Sequence, residues 1–312
     1  MKTELCDVLG IEYPVIQGAM AHISDGTFAG TVSEAGGLGV IATGLHDAEW
    51  VAEEVAKARA VTSKPFAVNL IMESDIVEEC ARACVDLKVP VCTISAGNPE
   101  KIVPILVKGG VKVLCLIPHA RAAKKMEALG ATAVIAEGLE GGGHIGRMCT
   151  MPMVRQVAEA VDIPVIAAGG IADGHGFLAA LALGAVGVQM GTAFLVADEC
   201  PISPAYKQMV IDAADSSTVL TGEHGGKQVR CLKNAFTEGY WKLHDAGASS
   251  EELTDYCTGS IGRAVRGDKD GGAFSCGMIA GLVKETKPAS RIITDLMAQA
   301  DDAYAELKRI YG

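Results

Sequence analysis

The sequence predicts an α/β protein, a single (β/α)8 barrel with a small helical insertion over its C-terminal mouth. Two observations carry that reading: β segments headed by proline recur at multiples of one repeat length, and short apolar runs alternate with helical stretches. The proline-headed segments are Tyr13-Pro14-Val15-Ile16, Lys64-Pro65-Phe66-Ala67, Val89-Pro90-Val91-Cys92 and Ile163-Pro164-Val165-Ile166. Proline is tolerated at the first residue of a strand, where its missing N–H costs no ladder bond. These prolines lie 51, 25 and 74 residues apart, close to two, one and three units of about 25 residues, a length that suits one strand and its helix. Leu38–Ile41, Lys112–Ile117, Ala133–Ala136 and Gly187–Met190 supply the four missing strands. Helical stretches at Ala48–Ala60, Ile76–Leu87, Ile102–Lys108, Arg121–Leu129, Val154–Ala160 and Phe177–Leu183 place apolar residues at three- and four-residue spacing. Strands that are continuously apolar belong to a parallel sheet covered by helices, and eight of them close most simply into a barrel. The pattern stops after Ala197, where Pro201, Pro204 and the polar run Asp212–Ser217 follow. The barrel is therefore expected over residues 1–198 and 276–312, with 199–275 as a helical, substrate-covering insertion.

Composition narrows the function. A chain of 312 residues that is 49% hydrophobic but only 4% aromatic fills its core by close packing of small residues. Its formal net charge of −11 repels nucleic acid and anionic membranes at long range, so any anion site must be local. Ten scattered cysteines form no C-x-x-C pair; no metal site is expected, and reduced thiols fit a cytoplasmic protein. The first seven residues include acids and no apolar stretch, unlike a secretory signal. Residues Gly174–Ala197 carry no Asp, Glu, Lys or Arg and are long enough to span a membrane, but their glycines divide them better into helix, turn, strand and loop.

In such barrels the active site lies at the C-terminal ends of the strands, and phosphate often binds after the seventh and eighth. Here those loops read Ala168-Gly169-Gly170-Ile171-Ala172-Asp173-Gly174 and Gln189-Met190-Gly191-Thr192-Ala193. Glycines admit a phosphate close to backbone N–H groups, and Thr192 adds a hydroxyl. After the sixth strand, Gly141-Gly142-Gly143-His144-Ile145-Gly146 happens to satisfy G-x-G-x-x-G. It is not a dinucleotide fingerprint, because Met148-Cys149-Thr150-Met151-Pro152 delays the helix that should open directly from it. These glycines let a flat cofactor lie against the backbone, with His144 beside it. Of seven histidines, His144 alone sits in a glycine-rich loop directly after a strand, placed for proton donation or carbonyl polarisation. His22 is the runner-up, as a pocket-lining residue. Gln17, Gly18, Ala19, Met20, Asn69, Ser95, Asn98 and Glu137 stand at other strand ends and are expected to face the same mouth. Asn69 and Glu137 are candidates to bond a cofactor's polar edge. Finally, a helix beginning near Gly226 would present Lys227, Arg230 and Lys233 as one basic face, either a solvated surface or a dock for an acidic partner.

These segments, taken in order, resemble the nitronate monooxygenase-like flavoproteins, and within them the FabK-type enoyl-acyl-carrier-protein reductases. The resemblance runs through Tyr13–Gly18, Glu34–Gly39, Lys64–Asn69, Ala136–Gly138, Gly142–Gly146, Ile163–Gly174 and Val188–Thr192, while His144-Ile145-Gly146-Arg147, Thr150 and Arg155-Gln156-Val157 look closer to the reductases. It implies FMN across the barrel mouth, its phosphate on the Gly169–Gly170 and Gly191–Thr192 loops and His144 near the flavin. It further implies NADH or NADPH as reductant and a trans-2-enoyl thioester, borne by an acyl-carrier protein, as acceptor, and that carrier is the acidic partner such a basic face would dock. A homodimer is the expected assembly. Nitronate oxidation with FMN and O₂ is the alternative enzymatic reading. A non-catalytic flavin- or phosphate-binding protein is disfavoured by His144, and aldol or isomerase chemistry by the lack of a lysine or paired carboxylates at strand ends.

Overall fold

The protein is described here by a computed structural model covering residues 1–222 and 228–311. Eight parallel strands form a barrel: β1 (Val15–Gln17), β2 (Val40–Ala42), β3 (Ala67–Ile71), β4 (Val91–Ser95), β5 (Lys112–Ile117), β6 (Ala133–Glu137), β8 (Val165–Ala168) and β9 (Gly187–Met190). From β2 to β9 each barrel strand pairs with the next in chain order, and β1 pairs with β9. The ring closes where Leu38 donates to the Val15 carbonyl and accepts from Gln17 N–H, each at 2.9 Å. Every proline-headed segment is a barrel strand or its immediate approach, as the repeat requires.

Side chains alternate strictly along these strands. Ile16, Leu38, Val40, Ala67, Val91, Leu114, Ala133, Ile135, Ile166 and Ala168 point inward, over a floor of Leu5, Leu9 and Ile11 from the N-terminal segment. Intervening residues such as Val68, Cys92, Val113, Val134, Ala167 and Val188 point outward into the helix layer. Continuing the inward alternation to the strand ends puts Asn69, Thr93, Ser95, Glu137 and Gln189 above this apolar plug. The plug thus forms the base of a polar mouth.

Helix starts follow side-chain caps. Asp25, Asp47, Asp173, Ser203, Asn234 and Ser249 each accept from a backbone N–H in the first turn of the helix they open. Helix–strand contact is close enough to demand glycine at Gly39, where a Cβ would stand 1.9 Å from the Ala29 carbonyl oxygen. Gly39→Ala should therefore destabilise the fold by roughly 3 kcal/mol, read as a drop of several degrees in thermal midpoint; an unchanged midpoint would contradict this packing.

The insertion contains helices Pro204–Ile211, Ala235–Asp245, Ser250–Cys257 and Ser260–Val265, but also a sheet the periodicity did not anticipate. Strands β10 (Thr218–Thr221) and β11 (Val229–Leu232) form an antiparallel hairpin, and β11 also pairs with β7 (Gly143–His144) from the loop after β6. The expected basic helix is thereby corrected. Residues Val229–Leu232 are extended because each finds a cross-strand partner between Thr218 and Thr221, so the three-residue charge spacing has no helical meaning. Arg230 is only 6% exposed, Lys233 is exposed beyond the strand, and Lys227 lies outside the described residues.

The chain returns through Cys276, passes a short 3-10 turn at Met278–Leu282, and ends in the helix Ala289–Tyr311. That helix packs on Gly174–Ala182 so tightly that a Cβ on Gly174 would lie 2.1 Å from Ala300 N. Residues 174–197 divide into helix, β9 and the short helix Thr192–Leu195. Among the described residues no helix is long and apolar enough to cross a membrane.

Candidate active site

Four glycine-bearing segments converge at the C-terminal end of the barrel. A Cβ on Gly169 would stand 2.8 Å from the Gly138 carbonyl oxygen and 3.0 Å from Gly141 N, which stacks the loop after β8 on the loop after β6. Gly169 and Gly170 have φ of 86° and 77°, left-handed conformations that side chains resist. Gly142 lies against the Cys276–Gly277 backbone, 2.6–2.9 Å from where its Cβ would be. Gly277 N–H in turn donates to Thr192 Oγ1 at 2.8 Å, and Met278 N–H donates to the Glu140 carbonyl at 2.9 Å. The first loop joins them, because Gly18 N–H donates to the Met190 carbonyl at 2.9 Å.

Gly191 differs from the other glycines of this rim. An added Cβ there would meet no heavy atom within 4 Å, so the protein leaves open space beside the loop that also carries the Thr192 hydroxyl. A void next to a pair of left-handed glycines and a hydroxyl suits a phosphate group, and the polar mouth beside it suits a flat, hydrogen-bonding ring. The residues present therefore fit a mononucleotide cofactor such as FMN.

Two carboxylates near the mouth have different fates. Glu140 is committed to the start of the Thr150–Ala158 helix, accepting from Thr150 N–H at 2.9 and 3.1 Å and from Thr150 Oγ at 2.8 Å. The Glu137 carboxylate, at the end of β6, has no hydrogen bond or ion pair among the described residues. Burial pushes its carboxyl up from 4.5 to about 7. When protonated, this carboxyl can donate as well as accept, which suits either an amide-like edge or a hydroxylated chain. The folded protein also holds this proton more tightly than the unfolded chain does, so its contribution to stability is full below pH 4.5 and is lost as pH rises through about 7. Between about pH 5 and 8, thermal midpoints of cofactor-free protein should fall more steeply for wild type than for Glu137→Gln. Equal slopes would refute the assignment.

The other sequence-selected residues are distributed as follows. Asn69 is buried, its Nδ2 donating to Thr93 Oγ1 at 3.0 Å and its Oδ1 accepting from Ser95 Oγ at 3.2 Å; Ser95 therefore orients Asn69. Gln17 does not face the mouth. It is fully buried and straps the barrel, donating to Ser24 Oγ at 2.9 Å and accepting from Val40 N–H at 3.0 Å. Met190 turns its side chain outward into the helix layer and offers only its carbonyl to the site. Gln189 is buried, with its side chain against Gly18. Ala19 and Met20 are half-buried beside Gly18, Asn98 is exposed and tied to Glu100, and His22 is exposed at a turn with φ of 63°. His144 is exposed at the end of β7, paired across to Val229. Sequence reasoning did not identify the Glu140–Thr150 clasp or the Gly277 amide. An acid before and a threonine at a helix start was the only available sign of the former, and the latter had none.

Similarity to known proteins follows this architecture. The family model described as "Nitronate monooxygenase" matches residues 2–85 and 77–299. The structure of FabK from Thermotoga maritima superposes with a TM-score of 0.96 at 40% identity, covering 99% of both chains. A nitroalkane oxidase from Streptomyces ansochromogenes gives a TM-score of 0.86 at 30% identity, over 97% of this chain and 99% of that one. A Staphylococcus aureus protein described as a probable nitronate monooxygenase is 31% identical over 96% of this chain and 97% of its own length. The fold is thus a TIM barrel shared along its whole length, and the chain belongs to the nitronate monooxygenase family of oxidoreductases.

Proposed function

We propose that this protein is an FMN-dependent enoyl-acyl-carrier-protein reductase that uses NADH or NADPH. The observation that carries the reading is the whole-chain similarity to a FabK at 40% identity, against 30–31% for relatives bearing nitronate or nitroalkane names. Bound FMN would supply a two-electron relay, accepting hydride from the nicotinamide and returning it to the β-carbon of a trans-2-enoyl thioester. The protein's own residues do the rest. Gly169, Gly170, Gly191 and Thr192 hold the phosphate, while Asn69 and Glu137 hold the polar edge and side chain of the cofactor. The apolar plug below them closes the mouth to water from the barrel side. His144, exposed at the rim, delivers the proton that the α-carbon of the thioester must gain, a general-acid task that an imidazole can perform.

Anaerobic stopped-flow spectroscopy tests the proposal. NADH or NADPH is expected to bleach the flavin, and a crotonyl thioester is expected to restore the oxidised spectrum without oxygen. The second reading, nitronate oxidation, is favoured by the family match itself. If alkyl nitronates reduce the flavin while nicotinamides leave it oxidised, that reading replaces the reductase.

A further inference from the structure

One buried cation has no part in the proposed reaction. Arg230 is 6% exposed, burial lowers its pKa with partial relief from the Glu140 carboxylate, and it forms no ion pair among the described residues. Keeping a charge under cover without a carboxylate partner is costly unless its donors are well used. Here they are. Nε and Nη2 both donate to the Leu139 carbonyl, at 3.2 and 3.1 Å, and Nη1 donates to Thr218 Oγ1 at 3.3 Å.

Leu139 is the neck of the loop that carries His144. Its N–H donates to the Met148 carbonyl at 2.8 Å, closing residues 139–148 into one excursion. The far end of that excursion is β7, which lies against β11 with Gly143 opposite Arg230 and His144 opposite Val229. Ile145 N–H extends the pairing to the Gln228 carbonyl at 3.1 Å, and the Arg230 carbonyl accepts from Cys276 N–H at 3.3 Å. A single residue therefore grips the loop's neck with its side chain and its tip with its backbone.

We propose that Arg230 is a positioning residue that sets where His144 presents its imidazole, by tying both ends of the loop to β11. The proposal rests on His144 as the proton donor of the proposed reaction. Flat, forked donors suit a carbonyl approached by two N–H groups, whereas lysine offers one point donor in the same space. Misplacing a reacting group by about 1 Å can cost on the order of 100-fold in rate.

The test compares Arg230→Lys, Arg230→Met and His144→Ala as FMN-loaded enzymes. Arg230→Met is expected to slow reoxidation by crotonyl thioester about 30-fold, with KM changed by less than about 3-fold. Bleaching by nicotinamide and flavin content should stay near wild type, and Arg230→Lys should recover part of the lost rate. If Arg230→Met fails to fold, Arg230→Lys carries the test: a folded lysine variant with wild-type kcat overturns the proposal. So does a loss shared equally by both half-reactions and by flavin content, which marks a merely structural residue. A wild-type reoxidation rate in His144→Ala removes the proposal together with the reading beneath it, whereas a slow His144→Ala beside unaffected arginine variants removes the proposal alone.

Discussion

His144→Ala is expected to slow reoxidation by an enoyl thioester by about 10²–10⁴-fold while leaving nicotinamide bleaching and flavin content close to wild type. The asymmetry follows from where the proton is needed. Only the second half-reaction places a proton on carbon, and His144 is the histidine at the rim whose backbone is held in a strand, β7, rather than on a free turn. Its exposure leaves room for a bulky thioester to approach. Alanine removes the imidazole without disturbing the β7–β11 pairing, which is made by backbone groups. Single-turnover kinetics of each half-reaction check the prediction, and equal slowing of both would show that His144 shapes the pocket instead.

Gly191→Val is expected to weaken FMN retention by roughly 100-fold, equivalent to about 3 kcal/mol, with little change in the stability of the cofactor-free protein. Among the rim glycines this position separates the two effects most cleanly. A side chain on Gly142 or Gly169 would strike protein backbone, so its loss of cofactor would be confounded with misfolding. At Gly191 nothing lies within 4 Å of an added Cβ, and φ of −107° is accessible to any residue. A β-branched side chain there would instead occupy the open space proposed for the phosphate. Fluorescence titration with FMN, set beside thermal unfolding of the apo-protein, reads both quantities. Wild-type FMN affinity in a folded Gly191→Val variant would move the phosphate elsewhere.

Much of the barrel was legible because its signals are local. Pro14, Pro65, Pro90 and Pro164 each precede a strand, and a strand's face is fixed by alternation over a few residues, so eight segments could be placed by inspection. The glycine loops were legible for the same reason, since a backbone that must turn or admit a ligand announces itself in residue type. The insertion was less so. Lys227, Arg230 and Lys233 suggested a helix because charge spacing is blind to pairing, and β11 is extended only because β10 and β7 lie on either side of it.

By itself, then, the sequence determined the barrel and marked the glycine loops and His144 as candidates at its mouth. Tertiary structure alone decided which polar groups are spent and which are free to act. Two carboxylates three residues apart look alike in sequence, yet Glu140 is consumed by Thr150 while burial raises the Glu137 carboxyl to about 7. Arg230 reaches a carbonyl 91 residues away, and Gly277 a hydroxyl 85 residues away. Backbone preferences act over a few neighbours and leave a trace in the local pattern; a hydrogen bond between distant segments exists only after the barrel has brought them together.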